Sequence, residues 1–441
     1  MSTSTWGRAK VAEQDHDHDA CGSGPAVPVE QHLDLLLRLG RDAVAARGPV
    51  AAEHVSLADA PGRVLAGEVA AVVAVPPFTA SAMDGFAVRT SDVDLLPDGA
   101  LELVVAGDLP AGSGPAVLPP GTAMRIMTGA ALPAGADAVV PVECTDHRAG
   151  AGPAPARVRL DVRPGAWAHV RPAAEDARVG DVVLPAGERV TPAHVAAAAS
   201  VGHATLAVVP RPRVLVVATG DELAEPGTPP GPGEVPDSGG PLLAALVAQA
   251  GGIPTLARCA DDVSALRALL AGAHADLVLT AGGVSQGAYE VVREALGDDL
   301  VLEDVAMQPG RPQGAGAVEV GGRAVPLVAL PGNPVSSFVG FHVLVRPLLA
   351  LLAGTEAPTR TLPVVAGRAW RARAGRRQYT PVALRRTGDE LVAEPPHPLG
   401  AGSHLVASLA RAEALAIVPA EVDGVRAGDR LEALPVRDWT A

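Results

Sequence analysis

Residues 325–345 read VPLVALPGNPVSSFVGFHVLV. The apolar run 325–330 has the composition of a buried strand, and a helical pattern follows it. Between the two, Gly332 permits a tight backbone turn, Asn333 can cap the helix, and Pro334 suits its first position. Amides left free there, with the hydroxyls of Ser336 and Ser337, would receive an anion, although a plain strand-to-helix turn reads the same way. Two further stretches repeat the design: VLVVATGDEL at 214–223 and DLVLTAGGVSQG at 276–287. Three strand–glycine units in alternation with helices predict a doubly wound α/β domain over 207–355, with its ligand at the carboxyl ends of the strands.

The loops differ in chemistry. AGGVSQG brings Gly282, Gly283 and Gly287 around Ser285, so a ligand can approach the backbone closely. It matches neither the dinucleotide GxGxxG pattern nor the lysine-bearing phosphate loop. ATGDEL places Asp221 and Glu222 at a strand end, where carboxylates can hold Mg²⁺ through oxygen or simply sit in a solvated turn. Asp261 and Asp262 pose the same choice.

Outward from this core, residues 1–27 are polar and acidic with no apolar period, which predicts a disordered tail. A helical pattern starts at Val29, and VSLADAPGRVLAGEV (55–69) reads as a second short amphipathic segment. Residues 76–172 carry short apolar runs between Pro/Gly clusters, the pattern of a small β-rich domain. TPAHVAAAASVG (191–202) returns to helix, with Thr191 as cap and Pro192 in the first turn. The β-rich stretch is thus an insertion into a helical and extended domain made of 28–75 and 173–206. Residues 356–441 return to short strands and predict a C-terminal β-barrel-like domain.

With 441 residues the chain is too long for one core. A 2% aromatic content and a net charge of −14 argue against nucleic acid, which needs stacking platforms and cations. Lys10 is the only lysine, so arginine supplies almost every fixed cation. Cys21, Cys144 and Cys259 are odd in number and widely spaced, which suits a reducing compartment and no disulfide framework. The polar N-terminus lacks the apolar core of a signal peptide, and no unbroken apolar run of spanning length stands out. A cytoplasmic protein with no membrane span is expected.

In their order, SAMDGFAV (81–88), RIMTGAALPAGADAVVPVE (125–143), TGDEL (219–223), GGVSQG (282–287), QPGRP (308–312) and LPGNPVSS (330–337) resemble the molybdopterin molybdenumtransferase family (MoeA type), which includes the E domain of gephyrin. The resemblance runs from about Val29 to the C-terminus. It implies a homodimer of four-domain subunits that moves molybdenum from molybdate onto adenylylated molybdopterin, releasing AMP, with Mg²⁺ as cofactor. By motif position it implies catalytic roles for Asp84, Asp176, Glu222 and Glu290. Substrate binding would fall to Thr128, Thr219, Gly220, Asp221, Gly282, Gly283, Ser285, Arg311, Pro331, Gly332, Asn333 and Ser336. Asp221, Glu222 and Asp261 would hold metal. Asp84, Thr128 and Asp176 would come from one subunit and the α/β residues from the other. The implied partners are a second copy of the chain, a molybdopterin adenylyltransferase and apo-molybdoenzymes.

Several positions depart from the family pattern. Thr79-Ala80 stand where an acidic–asparagine pair is usual, and Gly239 replaces the asparagine of DSN. Ala174 and Ala177 flank the Glu175-Asp176 pair, Ala288 replaces a frequent acid, Glu290 an aspartate, and Arg311 a lysine. These changes motivate a second reading, a molybdopterin-binding scaffold with little insertase activity. A third, the adenylylation step itself, is weaker because the chain has one α/β domain and carries additional ones.

Overall fold

The computed structural model describes residues 26–48, 50–148, 150, 152–284, 290–356, 360–398, 400, 402 and 404–437. Ser285 and Ala288 lie outside the described residues, as does nearly all of the expected tail. Val27 does not belong to a tail: it bridges Val305, and its amide donates to the Asp304 carbonyl at 2.8 Å. Contacts group the chain into two compact units, one of residues 1–49 with 211–441 and one of residues 50–210.

The first unit is built on a six-stranded mixed sheet. Its strands are β1 (Arg213–Thr219), β2 (Ile253–Cys259), β3 (Leu277–Ala281), β4 (Leu300–Asp304), β5 (Pro312–Val320) and β6 (Arg323–Leu330), in the order β2-β1-β3-β6-β5-β4. The four strands from β2 to β6 are parallel, and β5 and β4 continue the sheet antiparallel. Side chains alternate between the faces of a strand. Val214, Val216, Leu277, Leu279 and Val328 therefore join the core beneath α1 (Val29–Arg47), α2 (Gly239–Gln249) and the long helix α5 (Pro334–Leu352). Leu215, Val217, Val278 and Leu327 meet α3 (Val263–Gly272) and α4 (Val291–Leu296) on the other face. The doubly wound reading holds. Helix α1, which the sequence joins to residues 50–75, packs instead with this unit, because its apolar face (Leu33, Leu36) completes the core over β6 and α5.

Helix α5 is long and apolar enough to cross a membrane by length and composition, but 72% of that window is buried inside the unit. Its apolarity serves the core. One turn, Phe341–Val345, is π-helical. His342 sits there, 6% exposed, edge-on to Phe338 and Phe341, with neither ring nitrogen hydrogen-bonded. Burial, and then the nearby Arg346 charge, push its pKa down to about 3 from the usual 6.5. Between those values the unfolded chain takes up a proton that the folded chain refuses. The His342 contribution to stability is therefore complete above about pH 6.5 and falls by about 1.4 kcal/mol per unit as pH drops toward 3. His342→Leu should flatten urea-measured stability across that window; an unchanged pH slope would show that other groups govern it.

The described residues of 360–437 form the β barrel expected from their short strands. Arg377–Thr387 pairs with Glu390–Glu394, then Leu362–Ala366, Arg430–Pro435 and Ala414–Val418 follow, and the last strand closes back on the first. Closure leaves no open edge along this ring.

The second unit holds a five-stranded sheet, Ala138–Pro141, Gly85–Val88, Thr122–Ile126, Glu102–Leu109 and Arg157–Arg159 in spatial order. Its cores around Phe86 and Ile126 are separate from a third around Leu65, Leu184, Ala198 and Leu206. The helix Pro192–Ser200 forms as read, with Thr191 accepting from the His194 amide. Residues 55–69 are not helical: Glu53–Ser56 is a strand, and Pro61 with Gly62, at φ +80°, breaks any helix after it.

Candidate functional site

The carboxyl ends of β1, β3 and β6 open into a cleft of about 600 Å³. Thr219, Gly220, Glu222, Asp261, Gly282 and Gly283 line it, as do Glu290, Pro331, Gly332 and Asn333. Ten of the residues implied by motif position thus share one surface. Gly282 and Gly283 have φ of +101° and +76°, a conformation that favours glycine. A Cβ on Gly283 would lie 3.0 Å from the Val292 Cβ and 3.1 Å from its amide nitrogen. Gly283→Ala should therefore cost about 2–4 kcal/mol, read by urea unfolding. A variant as stable as the parent would mean that this turn relaxes freely.

Gly220, at φ +138°, leaves the room into which the Glu222 carboxylate folds; a Cβ there would clash with it. Asp221 does not line the cleft and is tied to its neighbour instead. The Asp261 amide donates to Asp221 Oδ1 at 3.1 Å, and the Asp221 amide faces Asp261 Oδ2 at 3.4 Å. Asp262 is a cap, accepting from the Ala265 amide at 2.7 Å. Cys259 beneath them is buried, and burial followed by the Asp262, Asp261 and Asp221 charges raises its thiol pKa, so it is a poor nucleophile.

The turn after β6 forms as read: Asn333 Oδ1 accepts from the Ser336 amide at 3.1 Å. Its hydroxyls are less available than the motif suggests. Ser337 is buried and donates to the Pro331 carbonyl, while Ser336 is 6% exposed with its hydroxyl toward Asn333 Oδ1. Arg311 is also outside the lining. Its guanidinium pairs with Asp304 at 3.0 Å, and the neighbouring Pro312 lines the cleft in its place. Among the described lining residues are four carboxylates, Glu222, Asp237, Asp261 and Glu290, and no arginine, lysine or histidine. Asp237, Ser238, Gly239 and Val406 also line the cleft and were not singled out as site residues. The signal for Asp237 was present: an acid directly before small residues that open a helix.

In the other unit, the Asp84 carboxylate accepts from the Thr128 amide at 2.6 Å and from its hydroxyl at 2.7 Å. These two bonds, the amide first, hold the carboxyl below the usual range. The strand Ala80–Ser81 is clamped between Val170–Arg171 and the 129–132 turn, which sets Asp84 opposite Thr128. Asp176 is exposed on the segment whose backbone bonds Val75.

A doubly wound domain with a cleft at its strand ends, in a chain that also carries β-rich modules, defines a multidomain α/β architecture. Comparison narrows it. Residues 27–202 match the MoeA N-terminal region (domains I and II), 215–351 a probable molybdopterin-binding domain, and 363–436 the MoeA C-terminal region (domain IV). A molybdopterin molybdenumtransferase 2 of Mycobacterium tuberculosis is 42% identical over 392 residues, covering 86% of this chain and 93% of that one. The Bacillus subtilis molybdopterin molybdenumtransferase is 31% identical over 88% of this chain and 90% of its own. The crystal structure of a molybdopterin biosynthesis MoeA protein from Pyrococcus horikoshii OT3 superposes with a TM-score of 0.72 at 25% identity, covering 92% of this chain and 99% of that one. The chain belongs to the MoeA family of molybdopterin molybdenumtransferases, and its role lies in molybdopterin chemistry.

Proposed function

We propose that the protein inserts molybdenum from molybdate into adenylylated molybdopterin, giving molybdenum cofactor and AMP. The observation that carries this reading is the acidic, glycine-walled cleft at the carboxyl ends of the sheet. Glycine backbones admit a phosphoanhydride closely, and carboxylates can manage protons and cations beside it. Replacing oxo ligands by thiolates releases water, which consumes protons, so a carboxyl close to the metal promotes the exchange. Opening the phosphoanhydride needs an in-line water and charge neutralisation, not a covalent protein intermediate.

No group of three or more metal-ligating side chains stands ready among the described residues. Mg²⁺ is commonly held by one or two carboxylates together with substrate phosphates. Glu222 and Asp261 would hold it, and it would neutralise phosphate charge. The reading further places Asp84, Thr128 and Asp176 of a second copy at this substrate, in a cytoplasmic homodimer. The dimer would receive its substrate from an adenylyltransferase and pass its product to apo-molybdoenzymes. The test is AMP release from adenylylated molybdopterin, followed by chromatography with and without molybdate. Molybdate-dependent release is expected; retained substrate with no release would favour the scaffold.

A further inference from the structure

Asp237 uses only half of its carboxylate on the fold. The residue is 3% exposed and lines the cleft at the entry to α2. Its Oδ1 accepts from the Gly240 amide at 2.9 Å, which satisfies one of the free amides at the start of the helix. Its Oδ2 is closed to solvent and has no hydrogen-bond partner among the described residues. Thr219, 5% exposed at the end of β1, also lines the cleft, and its hydroxyl is likewise buried without a partner. A polar atom buried unpaired is costly, and a cap needs a single acceptor that asparagine or serine supplies equally well. The second carboxylate oxygen is therefore surplus to the fold.

The surroundings define what could use it. A Cβ on Gly240 would lie 2.8 Å from Oδ2, so that side is closed. A Cβ on Gly239 would meet nothing nearer than the Ala281 Cβ at 3.5 Å, with Asp237 Oδ1 at 4.0 Å. Position 239 could thus carry a Cβ in ordinary contact on the Oδ1 side of the carboxylate. A phosphate or molybdate oxygen would be repelled there, whereas an N–H donor would complete the carboxylate's bonding.

We propose that Asp237, supported by Thr219, receives the N–H edge of a heteroaromatic amine and so sets which ring the cleft accepts. The inference rests on the proposed function, whose substrate offers two such edges, the aminopyrimidinone of the pterin and the amino group of adenine. The experiment is calorimetric titration of the full chain, its Asp237→Asn variant and its Asp237→Ala variant. Each is titrated with pterin, with AMP and with lumazine, which carries a carbonyl in place of the pterin amine. Asp237→Asn keeps the Oδ1 cap, so it should melt close to the parent, while Asp237→Ala melts lower. Yet Asp237→Asn should bind one amine ligand about tenfold to a hundredfold more weakly. Loss of pterin binding with a gain for lumazine identifies the pterin edge, and loss of AMP binding identifies adenine. If Asp237→Asn binds both amines as the parent does, Asp237 is a helix cap and the inference falls. If the parent itself binds neither, the functional reading fails, and this inference with it. A fall in Mg²⁺ affinity alone would also overturn it.

Discussion

Asp84→Ala and Glu222→Ala should each lower molybdate-dependent AMP release by about a hundredfold or more while leaving the fold nearly intact. Asp84 is exposed, and among the described residues its carboxylate bonds only the Thr128 turn. Glu222 is exposed at the cleft, folded over Gly220. Neither contributes an apolar contact to a core, so circular dichroism and the melting temperature should stay close to the parent. Thr128 holds the Asp84 carboxyl below its usual range, so on the proposed function Asp84 would serve as a fixed negative charge or acceptor and not as the proton donor. Asp84→Asn, which keeps an acceptor for the Thr128 amide, separates the two contributions. Activity retained in Asn assigns the residue to turn geometry; activity lost in both assigns it to charge. Parental rates in both alanine variants would remove these residues from the chemistry.

The second large effect concerns how the site is composed. Asp84→Ala and Glu222→Ala protein, each nearly inactive alone, should recover activity when mixed under conditions of subunit exchange. If each site draws Asp84 from one copy and Glu222 from the other, half of the reassorted dimers are mixed. Each mixed dimer then holds one intact site of its two, so activity should rise to about a quarter of the parent's. Mass spectrometry with one variant isotope-labelled would verify exchange. No recovery after verified exchange would confine both residues to one chain's site.

Much of this was readable because local signals agreed. At 325–345 a β-rich apolar run, a glycine turn, a capping asparagine and an N-terminal proline all demanded the same geometry, and β6, its turn and α5 formed accordingly. The glycines of 282–283 likewise announced a positive-φ turn. Residues 55–69 misled because apolar spacing favoured helix while Pro61 and Gly62 forbade its continuation. The packing of α1 against β6 was not legible, since an apolar face does not say which core it will cover. At the site, motif position brought most residues to one cleft. It could not reveal that Arg311 is engaged by Asp304, or that Ser337 is spent on the Pro331 carbonyl, because both depend on contacts made after folding. The acid before the small residues of α2 was visible in the sequence, but its second oxygen becomes distinctive only once folding buries it unpaired.

The most direct measurement is reconstitution. Purified protein is incubated with adenylylated molybdopterin, isotope-labelled molybdate and Mg²⁺, and the product is offered to an apo-molybdoenzyme. AMP is counted against molybdenum incorporated. The insertase account predicts equal amounts of AMP and incorporated metal, an active molybdoenzyme, and the loss of all three when molybdate is omitted. Tight retention of the adenylylated pterin, with neither AMP nor activation, would contradict it and make the protein a carrier.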